Sequence, residues 1–333
     1  MVSVPLAVAL AVLTLASTPI EAARPANKLP LRHVADVRLP GSPSRFDYQD
    51  IDPARHRLYV AHLGAGQVDV VDLESSKVVG VVRHVPAVHG VRVAPDLGVV
   101  YASATRDDTV LAIDESTLAV IARVPTGKFP DGLAYDPNDR VVYVSNKNAG
   151  SLTAFDATAA PQPRPIEVAD ETGNVVYDPT AMTVRVAARM PDQLAEANPR
   201  SGEVTSRIEL PGCKGAHGVY LEPEAKLAFV ACEDNARLST VDMTTNRQRD
   251  TMSVGKTPDV LAYDSGLHRL YVASESGIVS VFELHGSALK KLGEARLAPH
   301  AHSVAVDLAT HRVYFPLQDV RGHPTLRVME PTG

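Results

Sequence analysis

Short apolar runs alternate with turn-forming residues along the chain, and residues 131–156 carry this pattern in its clearest form. Three runs in this stretch are rich in β-branched, aromatic or small apolar residues, at 132–135, 141–145 and 152–155. Turn residues separate them, Asp-Pro-Asn-Asp after the first run and Asn-Ala-Gly after the second. Pro presets φ, and Asp and Asn bond to their own backbone. The pattern predicts an antiparallel meander of three strands.

This unit recurs about seven times. The residue that closes its third run marks each copy, at steps of 41 to 47 residues: Asp72, Asp114, Asp156, Asn198, Asp242, Glu283 and Glu330. The aromatic position of the second run gives independent marks at a similar spacing: Tyr59, Tyr101, Tyr143, Arg185, Phe229, Tyr271 and Tyr314. A period of roughly 40 to 50 residues built from strands and turns is typical of a β-propeller. The prediction is an all-β, seven-bladed β-propeller with four antiparallel strands per blade.

A fourth, outer strand is expected after each closing residue. Candidates are 77–82, 118–124, 203–210, 247–254 and 288–297, and the equivalent at 164–168 lies among prolines, which an outer edge strand tolerates. The seventh copy has only three strands, whereas residues 33–39 form a spare strand ahead of the first copy. We therefore expect the N-terminal strand to complete the last blade and remove the open sheet edges.

The fourth copy departs most from the pattern. Arg185 replaces its aromatic, Glu196 interrupts its third strand, and its first strand opens without a charged residue. This blade is either locally irregular or specialised.

Composition and charge exclude some classes of partner. The chain has 33 basic and 39 acidic residues, a formal net charge of −6, and no run of five Lys or Arg. Such a balance does not favour nucleic-acid binding. Seven blades use almost the whole chain, so we expect no second domain, and we expect a monomer.

Residues 1–23 are interpreted as a cleaved signal peptide, 24–30 as a linker and 31–333 as the propeller. The segment is apolar and ends in Ala22-Ala23, although no positive charge precedes Arg24. A membrane anchor is the alternative, but Pro5 and Pro19 interrupt the run. The protein is expected to be periplasmic or secreted, with no membrane span after cleavage.

The two cysteines, Cys213 and Cys232, flank the first two strands of the fifth copy. Antiparallel pairing places the start of one strand beside the end of the next, so the two residues can meet. A structural disulfide is predicted, and a thiolate metal site is the alternative.

The stretch from Asp131 to Asp156, with Val142-Tyr-Val-Ser-Asn146 at its centre, resembles the YVTN-repeat propellers, a YncE-like family of exported bacterial proteins. Leu58-Tyr-Val-Ala-His62 and Leu270-Tyr-Val-Ala-Ser274 are looser copies. The resemblance covers about residues 31 to 333. It implies a seven-bladed ring in the periplasm or outside the cell, and it implies no particular reaction.

The residue just before each first strand is expected at the rim of the central channel. These ring residues are Asp47, His89, Asp131, Gly173, His217, Asp259 and His302. Three of the 12 His residues fall on this one repeat position. The loops after the second strands open on the same face and add His62. We predict a ligand site at this channel mouth formed by Asp47, His62, His89, Asp131, His217, Asp259 and His302.

Two interpretations of the ring stay open. The ring side chains can serve structure, by bonding backbone N–H groups at the start of each blade. They can also bind a small molecule, a protein partner or a divalent metal ion, with His217, His302 and Asp259 as the preferred ligands. The preferred function is an exported, non-enzymatic binding protein. The alternative is a metal-dependent hydrolase or lyase, by analogy with gluconolactonase-like and streptogramin-lyase-like propellers.

Overall fold

Seven four-stranded antiparallel sheets form the computed structural model, which describes residues 1, 28–158 and 161–332. Blades are numbered in chain order. Blade 1 contains β2 (Gln49–Asp52), β3 (Arg57–His62), β4 (Gln67–Asp72) and β5 (Lys77–Arg83). Blade 2 contains β6 (Val88–Ala94), β7 (Val99–Ala104), β8 (Thr109–Asp114) and β9 (Val120–Pro125). Blade 3 contains β10 (Pro130–Asp136), β11 (Val141–Asn146), β12 (Ser151–Asp156) and β13 (Arg164–Glu167).

The remaining blades follow the same plan. Blade 4 contains β14 (Glu171–Asp178), β15 (Thr183–Arg189), β16 (Gln193–Ala197) and β17 (Val204–Glu209). Blade 5 contains β18 (Ala216–Glu222), β19 (Leu227–Cys232), β20 (Arg237–Asp242) and β21 (Arg247–Ser253). Blade 6 contains β22 (Pro258–Asp264), β23 (Arg269–Ser274), β24 (Ile278–His285) and β25 (Ala288–Arg296). Blade 7 contains β26 (Ala305–Asp307), β27 (Arg312–Val320), β28 (His323–Pro331) and β1 (Leu31–Arg38).

Short 3₁₀ turns follow the second strand in four blades: Leu63–Ala65, Thr105–Asp107, Lys147–Ala149 and Glu233–Asn235. No helix among the described residues is long and apolar enough to cross a membrane. The predicted signal peptide at 1–23 lies outside the described residues apart from Met1, as does most of the linker at 24–30.

The predicted seven-bladed propeller is confirmed, and so is its closure. Strand β1 pairs antiparallel with β28 from Leu31 opposite Pro331 to Arg38 opposite Thr325, with a bulge between His33 and Ala35. The N-terminal strand therefore supplies the outer edge of the last blade. The proline-rich copy also behaves as expected, since β13 is a four-residue strand at the outer edge of blade 3.

The hydrophobic core lies between the blades rather than within one centre. Apolar side chains cluster at each blade-to-blade interface, because the middle strands bury side chains on both faces of their sheet. The repeated aromatic of the second strand fills these interfaces, as Tyr59 does against Val91 and Val93 of blade 2. Its hydroxyl donates a hydrogen bond to Glu115 Oε1 at 3.0 Å, which joins the two blades.

Blade 4 is regular in topology and specialised in chemistry. Arg185 is buried at the aromatic position, with Nη2 2.6 Å from Glu196 Oε2 and Nε 3.5 Å from Asp178 Oδ2. The glutamate that interrupts the third strand is thus the partner of the arginine that replaces the aromatic. In blade 4 a buried ion pair therefore replaces the aromatic side chain that the other blades have at this position.

The predicted disulfide is present between Cys213 and Cys232, whose Cα atoms are 5.3 Å apart. Both residues belong to the cluster between blades 4 and 5, the interface that lacks an aromatic from its first blade. The bond closes a loop of 19 residues in sequence.

Replacing both cysteines by Ser is expected to lower the free energy of unfolding by about 3 kcal/mol, since the cross-link restricts the unfolded chain. Chemical denaturation of the oxidised protein and the Cys213→Ser/Cys232→Ser variant measures the difference. Equal midpoints and slopes would show that the bond contributes nothing to stability.

Candidate functional site

The ring residues lie at or just before the start of each innermost strand, where the backbone is irregular. In blades 2 to 6 the pairing with the second strand shifts register there, as between Val88 and Val91 or between Ala216 and Val219. Such bulges turn a side chain away from its regular direction. The residue two positions earlier has positive φ in five blades: Ala87, Phe129, Gly215, Thr257 and His300.

Close approach of neighbouring blades explains the glycines that follow three ring residues. A Cβ at Gly90 would lie 2.3 Å from the carbonyl oxygen of Asp131, and one at Gly218 would lie 1.8 Å from that of Asp259. Gly173 occupies the ring position of blade 4 for a similar reason, because its Cβ would lie 2.5 Å from His217 Cα. Blade 4 therefore contributes no side chain to the ring.

Asp259 is the residue on which the ring converges. Its Oδ1 accepts a hydrogen bond from Tyr48 Oη at 3.0 Å and lies 3.4 Å from His217 Nε2. Its Oδ2 lies 3.9 Å from His302 Nε2. Asp131 also lies close to His217, with Oδ2 3.9 Å from its Nε2. The side chains of these four ring residues are at most 5% exposed.

Further charged groups surround this centre. Arg45 Nη2 lies 2.6 Å from Glu275 Oε1 and 3.7 Å from Asp47 Oδ2. Glu275 also faces His302, and Glu233 Oε1 lies 3.6 Å from His217 Nε2. Sequence reasoning missed Arg45, Glu233 and Glu275. The two glutamates follow the second strands of blades 5 and 6, one residue beyond the loop positions that the repeat alignment placed on this face.

His89 and His62 differ in their surroundings. His89 reaches the ring, with Nε2 3.9 Å from Asp47 Oδ2. His62 is fully buried beside its own blade, stacked on Phe46, with Nδ1 3.1 Å from Asp69 and Nε2 3.0 Å from Ser44. Both imidazole nitrogens of His62 contact residues that do not belong to the ring, so His62 is not one of the side chains that meet around Asp259.

Two ring histidines are held in the same orientation by backbone carbonyls. His302 Nδ1 lies 2.9 Å from the carbonyl oxygen of His300, and His89 Nδ1 lies 2.9 Å from that of Ala87. Because a carbonyl oxygen can only accept a hydrogen bond, Nδ1 carries the proton of each neutral imidazole and Nε2 carries the lone pair. His302 Nε2 is buried and has no hydrogen-bond partner among the described residues. A lone pair in this position can accept a proton or bind a metal ion.

Burial and mutual charge shift the pKa values of three ring residues, Asp47, Asp259 and His217. Burial and the negative charges of Asp259 and Asp131 raise the pKa of Asp47 well above its usual range, and Arg45 offsets this only in part. Burial also acts to raise the pKa of Asp259, but contact with the His217 imidazolium outweighs it and lowers that pKa. Burial acts to lower the pKa of His217, and Asp259 and Glu233 raise it overall. Asp47 thus binds a proton more readily than a free carboxyl does, while the shifts of Asp259 and His217 both favour an ion pair between them.

Asp47→Asn is expected to stabilise the metal-free protein at neutral pH. The unfolded chain ionises Asp47 above about pH 4, whereas the raised pKa in the folded chain delays its ionisation to higher pH, so folding becomes less favourable as pH rises above about 4. The gain in melting temperature from Asp47→Asn should be near zero at pH 4 and should grow towards pH 7. Thermal melts in EDTA across this pH range measure it.

Asp36→Asn is the control of opposite sign. The hydrogen bonds from Arg327 lower the pKa of Asp36, against partial burial, so its ionised form contributes stability above the usual carboxyl pKa and loses it as pH falls. Asp36→Asn should therefore cost stability at pH 7 and little in acid. A stability difference for Asp47→Asn that stays constant with pH would contradict the shifted pKa.

Tyr48 closes the channel beneath the ring. From blade 1 its hydroxyl donates to Asp259 of blade 6 and accepts a hydrogen bond from Asn174 Nδ2 of blade 4. The equivalent position holds Gly in three blades, so one tyrosine can span the axis. In the sequence, Tyr48 is recognisable as a large residue at a repeat position where three other blades have glycine.

Comparison with known proteins supports the fold. Residues 86–162, which cover most of blades 2 and 3, match the family described as "Lactonase, 7-bladed beta-propeller". A chain of the Kuenenia stuttgartiensis hydrazine synthase structure superposes with a TM-score of 0.73 at 15% identity, covering 88% of this chain and 96% of that one. A chain of a mitotic checkpoint complex superposes with a TM-score of 0.78 at 12% identity, covering 96% and 98%. At these identities the likeness concerns the fold alone.

Proposed function

We propose that this propeller binds a divalent metal ion at its His/Asp ring and presents that end of the channel to a small polar ligand. The observation that carries the proposal is the buried lone pair of His302 Nε2, fixed by the His300 carbonyl and close to two carboxylates. Ligand atoms of Asp47, Asp259 and His302 lie within 4.8 Å of one another. A metal-bound histidine commonly donates its other N–H to a carbonyl in this way.

A second triad shares Asp259 and competes for the same ion. Ligand atoms of His217, Glu233 and Asp259 also lie within 4.8 Å of one another. Burial acts to lower the pKa of His217, but its carboxylate neighbours raise it overall, so a metal ion would compete there with a more tightly bound proton. The triad of Asp47, Asp259 and His302 is therefore the preferred one, with His217 as a charge partner.

Charge supports a cation at this place. The ring and its surroundings hold five carboxyl groups, those of Asp47, Asp131, Asp259, Glu233 and Glu275. The positive groups nearby are Arg45, His217, Arg189, which pairs with Glu233 at 2.7 Å, and Lys147. Burial and this negative charge raise the pKa of Asp47. A divalent ion would compete with protons for its carboxylate, so binding should weaken as pH falls. Mixed imidazole and carboxylate ligands suit Zn²⁺ or Mn²⁺.

Equilibrium dialysis of EDTA-treated protein against Zn²⁺ and Mn²⁺ tests the proposal. A single equivalent of one of these ions should bind, and His302→Ala and Asp259→Ala should each weaken binding by roughly 100-fold, or about 2.8 kcal/mol. His311→Ala is the matched control, because His311 Nδ1 lies 2.9 Å from Asp264 at the opposite end of the channel. It should leave metal binding unchanged.

Absence of saturable binding, or equal losses in His302→Ala and His311→Ala, would overturn the metal site. Melting temperatures of each variant in EDTA separate loss of the site from loss of the fold. His217→Gln distinguishes the two triads, since it should reduce affinity far less than His302→Ala does.

Lactone hydrolysis is the second candidate, favoured by the family match over residues 86–162, which include His89 and Asp131. Asp131 Oδ1 is buried and has no hydrogen-bond partner among the described residues. It would accept a proton from the water that attacks the lactone carbonyl, while the ring oxygen leaves, takes up a proton and yields a hydroxy acid.

Acid release from δ-valerolactone, followed by pH-stat titration, tests this reaction. Catalysis that is lost in both Asp131→Asn and His302→Ala would support an enzyme. Metal binding without acid release above the background rate would leave the ring as a binding site only.

Export to an oxidising compartment also belongs to the proposal, together with a monomeric state and kinship to the YVTN-repeat propellers. The disulfide supports export, since such bonds persist outside the reducing cytosol. The motif at Val142–Asn146 supports the kinship.

A further inference from the structure

A cavity lined in part by Tyr48 occupies the channel. It has a volume of about 650 Å³ and is lined by the innermost strands of all seven blades. Pro53, Pro137 and Leu308 border it, and these residues follow the first strands, so the cavity lies at the end opposite the ring. Small-molecule sites typically measure roughly 300 to 1,000 Å³.

The shape of the cavity follows from the seven residues that lie three positions after each ring residue in the sequence. Four of these are small, namely Ala134, Val176, Ala262 and Ala305, and they lie in two adjacent pairs of blades. Arg92 of blade 2 and Tyr220 of blade 5 are the large polar residues of this layer beside Asp50. The small side chains leave apolar space on either side of the polar residues Asp50, Arg92 and Tyr220.

Arg92 is the basic side chain among the described residues that line this cavity. Its Nε donates to the carbonyl oxygen of Leu133 at 3.2 Å, and its Nη1 lies 3.4 Å from Asp50 Oδ2. The same Asp50 oxygen accepts the backbone N–H of Val93 at 2.8 Å. These contacts fix the guanidinium, and no described residue pairs with its Nη2. A guanidinium edge fixed in this way suits a carboxylate.

Tyrosine rings form the apolar part of the wall. The hydroxyl of Tyr135 donates to Asp96 Oδ2 at 3.1 Å, and that of Tyr177 accepts from Asn138 at 3.1 Å. Both hydroxyls are thereby anchored away from the channel axis, while the rings line the cavity. Tyr220 packs on Tyr263 with ring centroids 5.9 Å apart, and its hydroxyl has no hydrogen-bond partner among the described residues.

We propose that this cavity binds a small monocarboxylate with a planar, apolar body. The carboxylate pairs with Arg92 Nη2 and accepts a hydrogen bond from the Tyr220 hydroxyl. The planar body lies in the apolar space beside Ala134, Val176, Ala262 and Ala305 and packs on the tyrosine rings. This site is separate from the metal ring, because the cavity lies at the opposite end of the channel.

Titration calorimetry with benzoate, benzyl alcohol and benzylammonium tests the proposal on the full chain. Benzoate should bind most tightly, ahead of neutral benzyl alcohol by roughly tenfold, or about 1.4 kcal/mol, and benzylammonium should bind least. This order needs no variant, so it stands even if a substitution harms folding.

Variants then assign the binding to named groups. Arg92→Leu should remove the preference for benzoate over benzyl alcohol, and Tyr220→Phe should weaken benzoate by a few-fold. Arg123→Leu is the matched control, since Arg123 is exposed on the outer strand of blade 2. His302→Ala, which tests the metal ring, should leave benzoate binding unchanged, so the two proposals fail independently.

Three results would overturn the site: no saturable binding of benzoate, equal affinity for all three probes, or a benzoate preference that survives Arg92→Leu. A cavity that instead accepts a side chain from a protein partner would give the first of these results.

Discussion

Deleting residues 28–39 is expected to abolish the cooperative fold. The deletion removes β1, which pairs with β28 along its length, and with it the buried side chains of Leu29, Leu31, Val37 and Leu39. Four buried aliphatic side chains contribute about 1.5–3 kcal/mol each, and each lost backbone hydrogen bond adds about 1 kcal/mol. The total is about 10 kcal/mol or more, comparable with the whole stability of a typical domain.

The loss should appear as a flat thermal melt or as aggregation, because β28 becomes an exposed sheet edge. A synthetic peptide of residues 28–40 should restore a cooperative transition when added to the deleted chain, and the same peptide with Val37→Asp should not. The control in the intact chain is Arg32→Ala, which removes an exposed ion pair with Glu330 and should change stability little. A deleted chain that melts like the parent would show that β1 does not close the ring.

Gly218→Ala is expected to lower the free energy of unfolding by about 3 kcal/mol or more. Its new Cβ would lie 1.8 Å from the carbonyl oxygen of Asp259 and 2.8 Å from Leu261 Cδ1. The first contact is with backbone, so the strand of blade 6 must move. Because Asp259 lies at the centre of the ring, that movement should also abolish the proposed metal binding.

Thermal melts and metal dialysis on the same protein measure both effects. At roughly 2–4 °C per kcal/mol, the melting temperature should fall by about 6–12 °C. Gly286→Ala is the control, because no heavy atom lies within 4 Å of its new Cβ and only its positive φ opposes the change. It should cost about 1 kcal/mol and leave metal binding intact. Equal stability of the two variants would contradict the close approach of blades 5 and 6.

The repeat alone predicted nearly every strand. Apolar runs of four to six residues and turn residues at fixed offsets recur with a nearly constant period, so local sequence places the strands in each copy. The fourth strands and the spare N-terminal strand were found in the same way, with ends displaced by a few residues. Blade 4 showed the limit, since the pairing of Arg185 with Glu196 depends on residues that face each other across two strands.

The candidate site was predicted only in part. The repeat position identified Asp259, His217 and His302, because aligned copies place them at one level of the ring. It could not identify Tyr48 or Arg45, which reach residues of other blades, and it grouped His62 with the ring although its ring nitrogens contact Asp69 and Ser44. Contacts across the channel axis join residues that are far apart in sequence, as with Tyr48 and Asp259.

The sequence by itself determined the number of blades, their order and the level of the ring, because these follow from period, turn chemistry and strand length. The tertiary structure decided which side chains meet. Close blade contacts bring Asp259 and His302 within 3.9 Å of each other, a carbonyl sets the imidazole tautomer, and one tyrosine reaches across the channel to two other blades. These outcomes depend on distances between blades of a few ångströms, which no local pattern encodes.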